Sequence, residues 1–170
     1  CVEFRQAPEG RRNIEQVWYT GRMMGEALAA TLTGEPTVYK PGYWFNSAKF
    51  FDIEYQTYGI VSPGCPDEEG DFYWEHQGGK ISLHLRWAKE TRKFIGVNNF
   101  GFRLRHHALD EWLQKNKTID FVMQHLRDAN FDPEFYKTHE QEIIDQYNSE
   151  QGTQLSLKKK SWKRILEFVS

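Results

Sequence analysis

The side chains that could bind a metal in this sequence are mostly histidines, and their spacing is unfavourable. His106 and His107 are adjacent, so on a helix they point apart and cannot hold one ion from the same face. His76 and His84 lie on neighbouring predicted strands and could meet across a hairpin. No cysteine or carboxylate with ligand spacing joins that pair, so the sequence predicts no metal site.

Other reactive or charged groups also point to ordinary surface roles. Cys1 and Cys65 are the only cysteines and form no Cys-x-x-Cys pair, so we expect neither to have a redox role. The acidic stretch 67–71 lacks the spacing of a calcium loop and is predicted to be solvated. The basic stretch 158–164 precedes apolar residues, which predicts a docked tail with a solvated basic side.

Composition excludes several classes of function. The net charge of the 170 residues is -2, which argues against a general nucleic-acid binder. No apolar run approaches the length of a membrane span. The sequence also lacks the glycine-rich phosphate loops, the nucleophile elbow and the His-Glu-x-x-His motif, so we predict no catalytic residues in it.

The most informative segment is a predicted helix from Ile14 to Thr33. Asn13 and Gln16 are spaced as a capping box, and Gly34 then Pro36 end the helix. Gly21, Gly25 and Ala29 form a stripe four residues apart, which indicates close approach by another element. Two interpretations remain open: a helix packed tightly on a sheet, or a helix whose positive N-terminus faces a bound anionic or electron-rich group.

This helix and the segment after it resemble a known family. The residues that carry the resemblance are Ile14-Glu15-Gln16-Val17-Trp18-Tyr19-Thr20-Gly21-Arg22-Met23-Met24-Gly25-Glu26-Ala27, Leu32-Thr33-Gly34, Tyr39, and Trp44-Phe45-Asn46-Ser47-Ala48-Lys49-Phe50-Phe51-Asp52-Ile53 through Tyr58-Gly59. They are similar to the end of the flavin domain, and the entry into the interface domain, of FAD-dependent pyridine nucleotide-disulfide oxidoreductases. The branch with apoptosis-inducing factor and the ferredoxin reductases is the most similar in character.

The resemblance implies a flavin site at the start of the helix. In that family the helix follows a Gly-Asp pair and points at the pyrimidine edge of FAD, and Cys1-Val2-Glu3 looks like the continuation after that pair. The resemblance therefore assigns cofactor binding to six residues: Glu15, Gln16, Val17, Phe45, Asn46 and Lys49. An aromatic residue lies near the flavin around the Phe45–Asn46 position in one branch, and Asn46 departs from that pattern.

The resemblance also implies a longer parent protein, and the first residue, Cys rather than Met, agrees with a piece of a larger chain. FAD and NAD(P)H would bind to the parent, with none expected on this piece alone. The expected partners are upstream FAD- and NAD-binding domains of the same chain, a second copy in a homodimer, and an electron acceptor of unknown identity, without nucleic acid or membrane. The expected location is the cytoplasm.

The predicted fold class is α+β. Alternating apolar residues between 50 and 100 predict an antiparallel meander of four to five strands, covered by a helical segment at 106–170. The alternation is strict over 80–87, which predicts one strand there. Within the helical segment, Thr118 can cap a helix at 119–127, and residues 132–133 can start another helix. Thr138 can cap a third helix, and residues 149–153 are predicted to form a loop. Residues 1–36 would be the remnant of the FAD domain, and residues 37–170 the C-terminal interface domain.

The function implied for this piece is to close the flavin pocket and to support domain, subunit or acceptor contacts. The alternative is a free-standing protein-binding α+β module without flavin.

Overall fold

A computed structural model describes residues 2–7, 11–131 and 137–159 of the chain. It divides into two compact units, residues 1–46 and residues 47–170, here called the N-terminal unit and the C-terminal unit. The described part contains seven strands and five helices. In chain order they are β1 Val2–Glu3, β2 Ile14–Glu15, α1 Trp18–Leu32, β3 Phe45–Phe50, β4 Ile53–Gly59, β5 Glu69–Glu75, β6 Ser82–Ala88, β7 Phe94–Phe100, α2 His106–Gln114, α3 Ile119–Gln124, α4 Leu126–Ala129 and α5 Glu140–Gln151.

In the N-terminal unit, α1 begins later than the sequence predicts. Ile14 pairs with Glu3 in the antiparallel β1–β2 ladder, and the Phe4 amide donates to the Asn13 carbonyl at 2.7 Å. The prediction of Asn13 as the cap is therefore wrong. Its backbone extends the ladder, and its side chain donates to Glu3 rather than to a helix amide. Val17 is the N-cap residue of α1 and supplies no side-chain hydrogen bond.

The glycine stripe of α1 faces open space. A Cβ atom at Gly21 or Gly25 would find no described atom within 4 Å, and Ala29 is exposed. Trp18, at the start of the same helix, is 69% exposed. Within the described residues, the close approach that the stripe predicts is therefore not made.

The C-terminal unit is built on a five-stranded sheet, and the α+β prediction is confirmed. The strand order is β3-β4-β7-β6-β5, with β4–β7, β7–β6 and β6–β5 antiparallel. The order is not sequential, since β7 lies between β4 and β6. The sheet also starts earlier than residue 50, because Phe45–Phe50 is a strand rather than a loop that leads into the sheet. This strand crosses the boundary between the two units.

Helices supply the other half of the core of the C-terminal unit. α2 lies against β4 and β7, and α5 lies against β5. Trp112 of α2 and Ile144 of α5 are fully buried, as is Val97 of β7. Glycines permit the close packing of the strands: a Cβ at Gly70 would lie 2.2 Å from the ring of Trp87, its partner across β5 and β6.

The helix ends match the sequence predictions only in part. Thr118 caps α3 by accepting from the Phe121 amide at 3.3 Å, as predicted. The predicted helix 119–127 is interrupted at His125, which ends α3 and precedes α4. Thr138 does not cap α5, because the N-cap residue is His139. The predicted loop 149–153 begins only at Gly152, whose φ of 64° ends α5.

Two further predictions lie outside the described residues: the helix start at 132–133 and most of the basic tail at 158–164. Among the helices that the structure does describe, none combines the length and the apolar character needed to cross a membrane.

Candidate functional site

An open groove lies at the start of α1 in the N-terminal unit. Its volume is about 420 Å³, and it is lined by Val2, Glu15, Gln16, Val17, Trp18, Gly21, Arg22 and Met24. The three residues that the resemblance places nearest a flavin, Glu15, Gln16 and Val17, are therefore brought together on one wall. They follow one another from β2 into the first turn of α1, so the β1–β2 ladder and the helix fix their positions.

Glu15 is the most strongly positioned of the three. It is 6% exposed, and its Oε2 lies 3.6 Å from Nη1 of Arg11. Arg11 donates through Nη2 to the carbonyl of Gly42 at 2.8 Å and lies over the ring of Trp44, 5.5 Å from its centroid. The buried carboxylate is thus neutralised by a guanidinium that the loop after α1 holds in place.

Tyr39 belongs to the same cluster, and the charges of Arg11 and Glu15 influence its pKa. Burial raises the pKa of the Tyr39 hydroxyl, Arg11 acts against this shift, and Glu15 adds to it. The Tyr39 hydroxyl oxygen is buried and has no hydrogen-bond partner among the described residues. The cluster around Glu15 therefore combines one ion pair with the Tyr39 phenol.

The N-terminus of α1 provides positive potential at the groove. The first intrahelical bond runs from the Gly21 amide to the Val17 carbonyl at 3.0 Å, so the amides of the first turn have no acceptor within the helix. Val17 lies in the extended region and its side chain cannot accept from them. These amides and the helix dipole together favour an anionic or electron-rich group at this end.

The remaining predicted cofactor residues lie on β3. Phe45 is half-buried, and its ring centroid is 5.5 Å from that of Tyr19 in the first turn of α1. Asn46 is also half-buried and is the last residue of the N-terminal unit, whereas Lys49 is exposed and belongs to the C-terminal unit. Their assignment to a cofactor remains a prediction.

The acidic stretch 67–71 is not simply a solvated loop, which corrects that prediction. Glu69 and Asp71 lie on β5, and the 1% exposed side chain of Arg86 reaches both, with Nη2 3.2 Å from Asp71 and Nε 3.8 Å from Glu69. Arg86 also donates to the Ser62 carbonyl at 3.1 Å. Asp71 is opposite Arg86 in the β5–β6 register, so strand pairing places a carboxylate against the buried cation.

The histidines that the sequence placed on neighbouring strands do not meet. His84 lies opposite Tyr73 and bonds to Asp71, 2.5 Å away. His76 follows β5 and has its ring centroid 4.9 Å from that of His139, just before α5. Sequence spacing missed this contact because the two histidines are far apart in the chain. His106 and His107 are exposed in the first turn of α2, as expected for surface histidines, and Cys65 is exposed with a free thiol.

An ion pair with two hydrogen bonds connects the β6–β7 turn to the helices. Arg92 donates to both carboxylate oxygens of Asp120, at 2.8 and 2.6 Å, and to the Tyr147 hydroxyl at 2.9 Å. These hydrogen bonds from Arg92 lower the pKa of Asp120, and burial is the largest cause of the raised pKa of Tyr147. The cluster joins α3 and α5 and has a structural role.

Comparison with known proteins supports the fold. The structure is similar to a solved structure described as an NAD-dependent persulfide reductase from A. fulgidus, with a TM-score of 0.58 and 19% sequence identity. The match covers 84% of this chain and 29% of that chain. No family model matches the sequence, and no curated protein matches it. The chain thus shares its fold with part of that structure, and it spans less than a third of the length of the protein that it matches.

Proposed function

We propose that this chain is the C-terminal part of an FAD-dependent NAD(P)H oxidoreductase, where it closes the flavin pocket and is not catalytic alone. The observation that carries the proposal is the groove at the uncapped start of α1, lined by Glu15, Gln16 and Val17. These are the residues that the family resemblance assigns to the flavin. The likeness to part of a longer reductase structure is consistent with such a parent.

The chemistry of the groove suits the pyrimidine edge of a flavin. When bound, FAD would accept a hydride from NAD(P)H and pass electrons to an acceptor. The first-turn amides of α1 would donate hydrogen bonds to electron-rich oxygen and nitrogen atoms at that edge. Because Arg11 already neutralises Glu15, the buried carboxylate would add little repulsion toward a reduced, negatively charged ring.

The open glycine stripe of α1 supports a packing role toward an upstream FAD domain. A Cβ atom at Gly25 would have no described atom within 4 Å, so the described part of the chain leaves this face uncovered. In the longer protein, Gly25→Leu is expected to cost about 1–3 kcal/mol through overpacking, and in the 170-residue chain clearly less. Equal losses of thermal stability in both proteins would place the packing partner of the stripe within the 170 residues.

Lys49 offers a second test of the pocket. An exposed cation on β3 would stabilise negative charge on a reduced flavin, as fixed cations do elsewhere. In the longer protein, Lys49→Met should lower the flavin midpoint potential or slow its reduction, while the melting temperature changes little. Lys93→Met, which removes another exposed lysine of the C-terminal unit, is the matched control. If Lys49→Met leaves the flavin midpoint potential and the reduction rate unchanged, the β3 segment has only a structural role.

The deciding experiment is to read the gene upstream of Cys1 and express the longer product. We expect two dinucleotide-binding fingerprints, a Gly-Asp pair before Cys1, flavin absorbance in the purified protein, and NAD(P)H oxidation with a dye acceptor. The 170-residue chain should be colourless and inactive, because it lacks a phosphate-binding loop. Stoichiometric flavin on the 170-residue chain, or a longer product without flavin, would contradict the proposal.

A protein-binding module is the second candidate, and the β3–β4 turn favours it. Phe51 is 97% exposed and has a φ of 52°, an unusual conformation for an aromatic residue. Phe50 and Ile53 beside it are 61% and 59% exposed. Such a patch is typical of contact surfaces. This candidate predicts a protein that never binds flavin at any length, which the same absorbance measurement decides.

A further inference from the structure

A second polar cluster lies in the C-terminal unit, where the end of β5 meets the start of α5. His76, His139 and Glu142 each offer one ligand atom there, and these three atoms lie within 4.8 Å of one another. We propose that these three side chains form a binding site for a divalent transition-metal ion of the zinc type. The site is independent of the flavin proposal, because none of its residues lines the groove at α1.

The strongest indication is the state of His139. Its side chain is 7% exposed, and neither ring nitrogen makes a hydrogen bond to a described residue. Oε2 of Glu142 lies 3.6 Å from Nδ1 of His139. Buried polar groups are almost always paired, so the imidazole requires a partner that the described residues do not supply. A metal ion satisfies this requirement through one nitrogen.

A small cavity of about 20 Å³ lies beside His139. Its lining is mostly apolar, and its polar members include Asn130 and Glu140, which hydrogen bond to each other at 2.7 Å. Metal-ligating histidines usually hydrogen bond through the nitrogen that does not bind the ion. The proposal therefore rests on the three ligand side chains and not on this cavity.

His76 needs only a small change to take part. Its Nδ1 accepts from the Gly78 amide at 3.1 Å, so in the neutral ring Nε2 carries the proton. Metal binding at Nε2 moves that proton to Nδ1 and sacrifices this one neutral hydrogen bond. The loss is small beside the free energy of coordinating a zinc-type ion. The bond lies in the turn after β5, where the backbone can adjust.

The donor set selects the ion. Two imidazoles and one carboxylate suit Zn²⁺, whereas Ca²⁺ and Mg²⁺ prefer oxygen ligands alone. An ion about 2.0–2.2 Å from each ligand draws the three atoms to roughly 3.4 Å from one another. Glu142 is 60% exposed in its side chain and His76 is half-buried, so both can rotate inward onto the fixed His139. The fourth position is left to water.

The consequence is a link between sheet and helix. His76 follows the edge strand β5, whereas His139 and Glu142 lie at the N-terminal end of α5. An ion held by all three fixes that end of the helix to the sheet edge. Binding should therefore raise the melting temperature of the chain, and the stabilisation should grow with the logarithm of the ratio of free ion to its dissociation constant.

The test is a Zn²⁺ titration of the 170-residue chain by calorimetry in chelator-free buffer, with Co²⁺ absorbance as a report on geometry. We expect one equivalent of Zn²⁺, a tetrahedral Co²⁺ spectrum, and weaker binding as pH falls, since imidazole ligands must be deprotonated. Glu142→Gln and His76→Asn should each weaken binding by about tenfold or more. His107→Asn, which removes an exposed histidine on α2, is the matched control and should bind as the parent chain does.

Both variants change side chains that are not fully buried, and circular dichroism verifies their folding, so a loss of binding reports on the ligands. The proposal is overturned if the parent chain binds no Zn²⁺ in this titration. It is equally overturned if Glu142→Gln and His76→Asn bind as well as the parent, or if His107→Asn weakens binding as much as they do. A flavin-free longer protein would leave this result unaffected.

Discussion

The two units of the chain differ in what they bury. In the described part of the N-terminal unit only Glu15 and Thr20 are buried, and both are polar. The C-terminal unit contains all the buried apolar side chains of the described residues, with Trp112, Val97 and Ile144 fully enclosed. Apolar burial is the main force that offsets the entropy cost of folding. The C-terminal unit therefore has its own core, and the described part of the N-terminal unit does not.

The two units are stabilised in different ways. In the C-terminal unit helices cover the sheet, so contacts within the unit account for its stability. The N-terminal unit instead exposes Trp18, Leu28 and Leu32 on α1, at 69%, 58% and 78%. Its order rests on polar anchoring, such as the Arg11–Glu15 ion pair and the hydrogen bonds from Arg11 to the loop after α1. Such a unit is suited to pack on something else.

Two tryptophans give the largest test of this comparison. Trp112→Ala removes a fully buried ring that packs edge-on against Phe121 and should cost about 3–5 kcal/mol. Trp18→Ala removes a ring that is mostly in water and should change stability by less than about 0.5 kcal/mol. Urea unfolding of the 170-residue chain measures both. A loss for Trp18→Ala close to that for Trp112→Ala would mean that the N-terminal unit has a core after all.

Alanine substitutions at two glycines should change the free energy of unfolding in opposite directions. At Gly59 the φ is 66° and a Cβ would lie 2.0 Å from the Ile95 carbonyl oxygen, so Gly59→Ala should destabilise by about 1–3 kcal/mol or more. At Gly25 the space is open and the residue is inside a helix, so Gly25→Ala should stabilise by about 0.5–1 kcal/mol. Thermal unfolding gives the signs. Destabilisation by Gly25→Ala would show that another part of the chain covers the stripe.

The sequence predicted those features of the fold that depend on local pattern. Strict alternation located β6, and Thr118 before an apolar helix located the cap of α3. The sequence predictions were wrong where the structure depends on contacts between residues that are far apart in the chain. Ile14 has helical spacing, yet pairing with Glu3 makes it a strand. The ionic partner of Asp71 is Arg86, and the ring partner of His76 is His139, neither of which is close to it in the sequence.

The candidate site shows the same difference between features that depend on local sequence and features that depend on long-range contacts. Glu15, Gln16 and Val17 are consecutive, so a family motif could assign them together, and the structure places them on one groove. Arg11 forms an ion pair with Glu15 and donates a hydrogen bond to a carbonyl of the loop after α1. The position of that loop depends on long-range contacts, which no local sequence pattern specifies. Whether Phe45, Asn46 and Lys49 join that site remains a prediction.

Acid should weaken the C-terminal unit through Asp120. Hydrogen bonds from Arg92 lower the pKa of Asp120 below its usual value of 3.8, so the stabilisation is complete above that pH and is lost as pH falls through the lowered pKa. The pair is about one-third exposed, so we expect about 1 kcal/mol after screening. Asp120→Asn should flatten the stability profile below pH 3.8. An unchanged acid slope for Asp120→Asn would contradict the assignment.

Substitutions at the helix caps should have the smallest effects on stability, and two threonines of the C-terminal unit can be compared directly. Thr118→Ala removes the cap of α3 and should cost about 1 kcal/mol, whereas Thr138→Ala, at a position that does not cap α5, should cost much less.

At the start of α1 the expected sign reverses. Val17 is extended, with φ −86° and ψ 135°, so a serine there can accept from the first-turn amides. Val17→Ser should stabilise α1 by about 0.5 kcal/mol in the 170-residue chain, seen as slower hydrogen exchange of its amides. In a longer flavin-containing protein the same serine would compete with the ligand for those amides and weaken flavin retention. A gain in exchange protection with unchanged flavin retention would mean that the N-terminus of α1 does not face the cofactor.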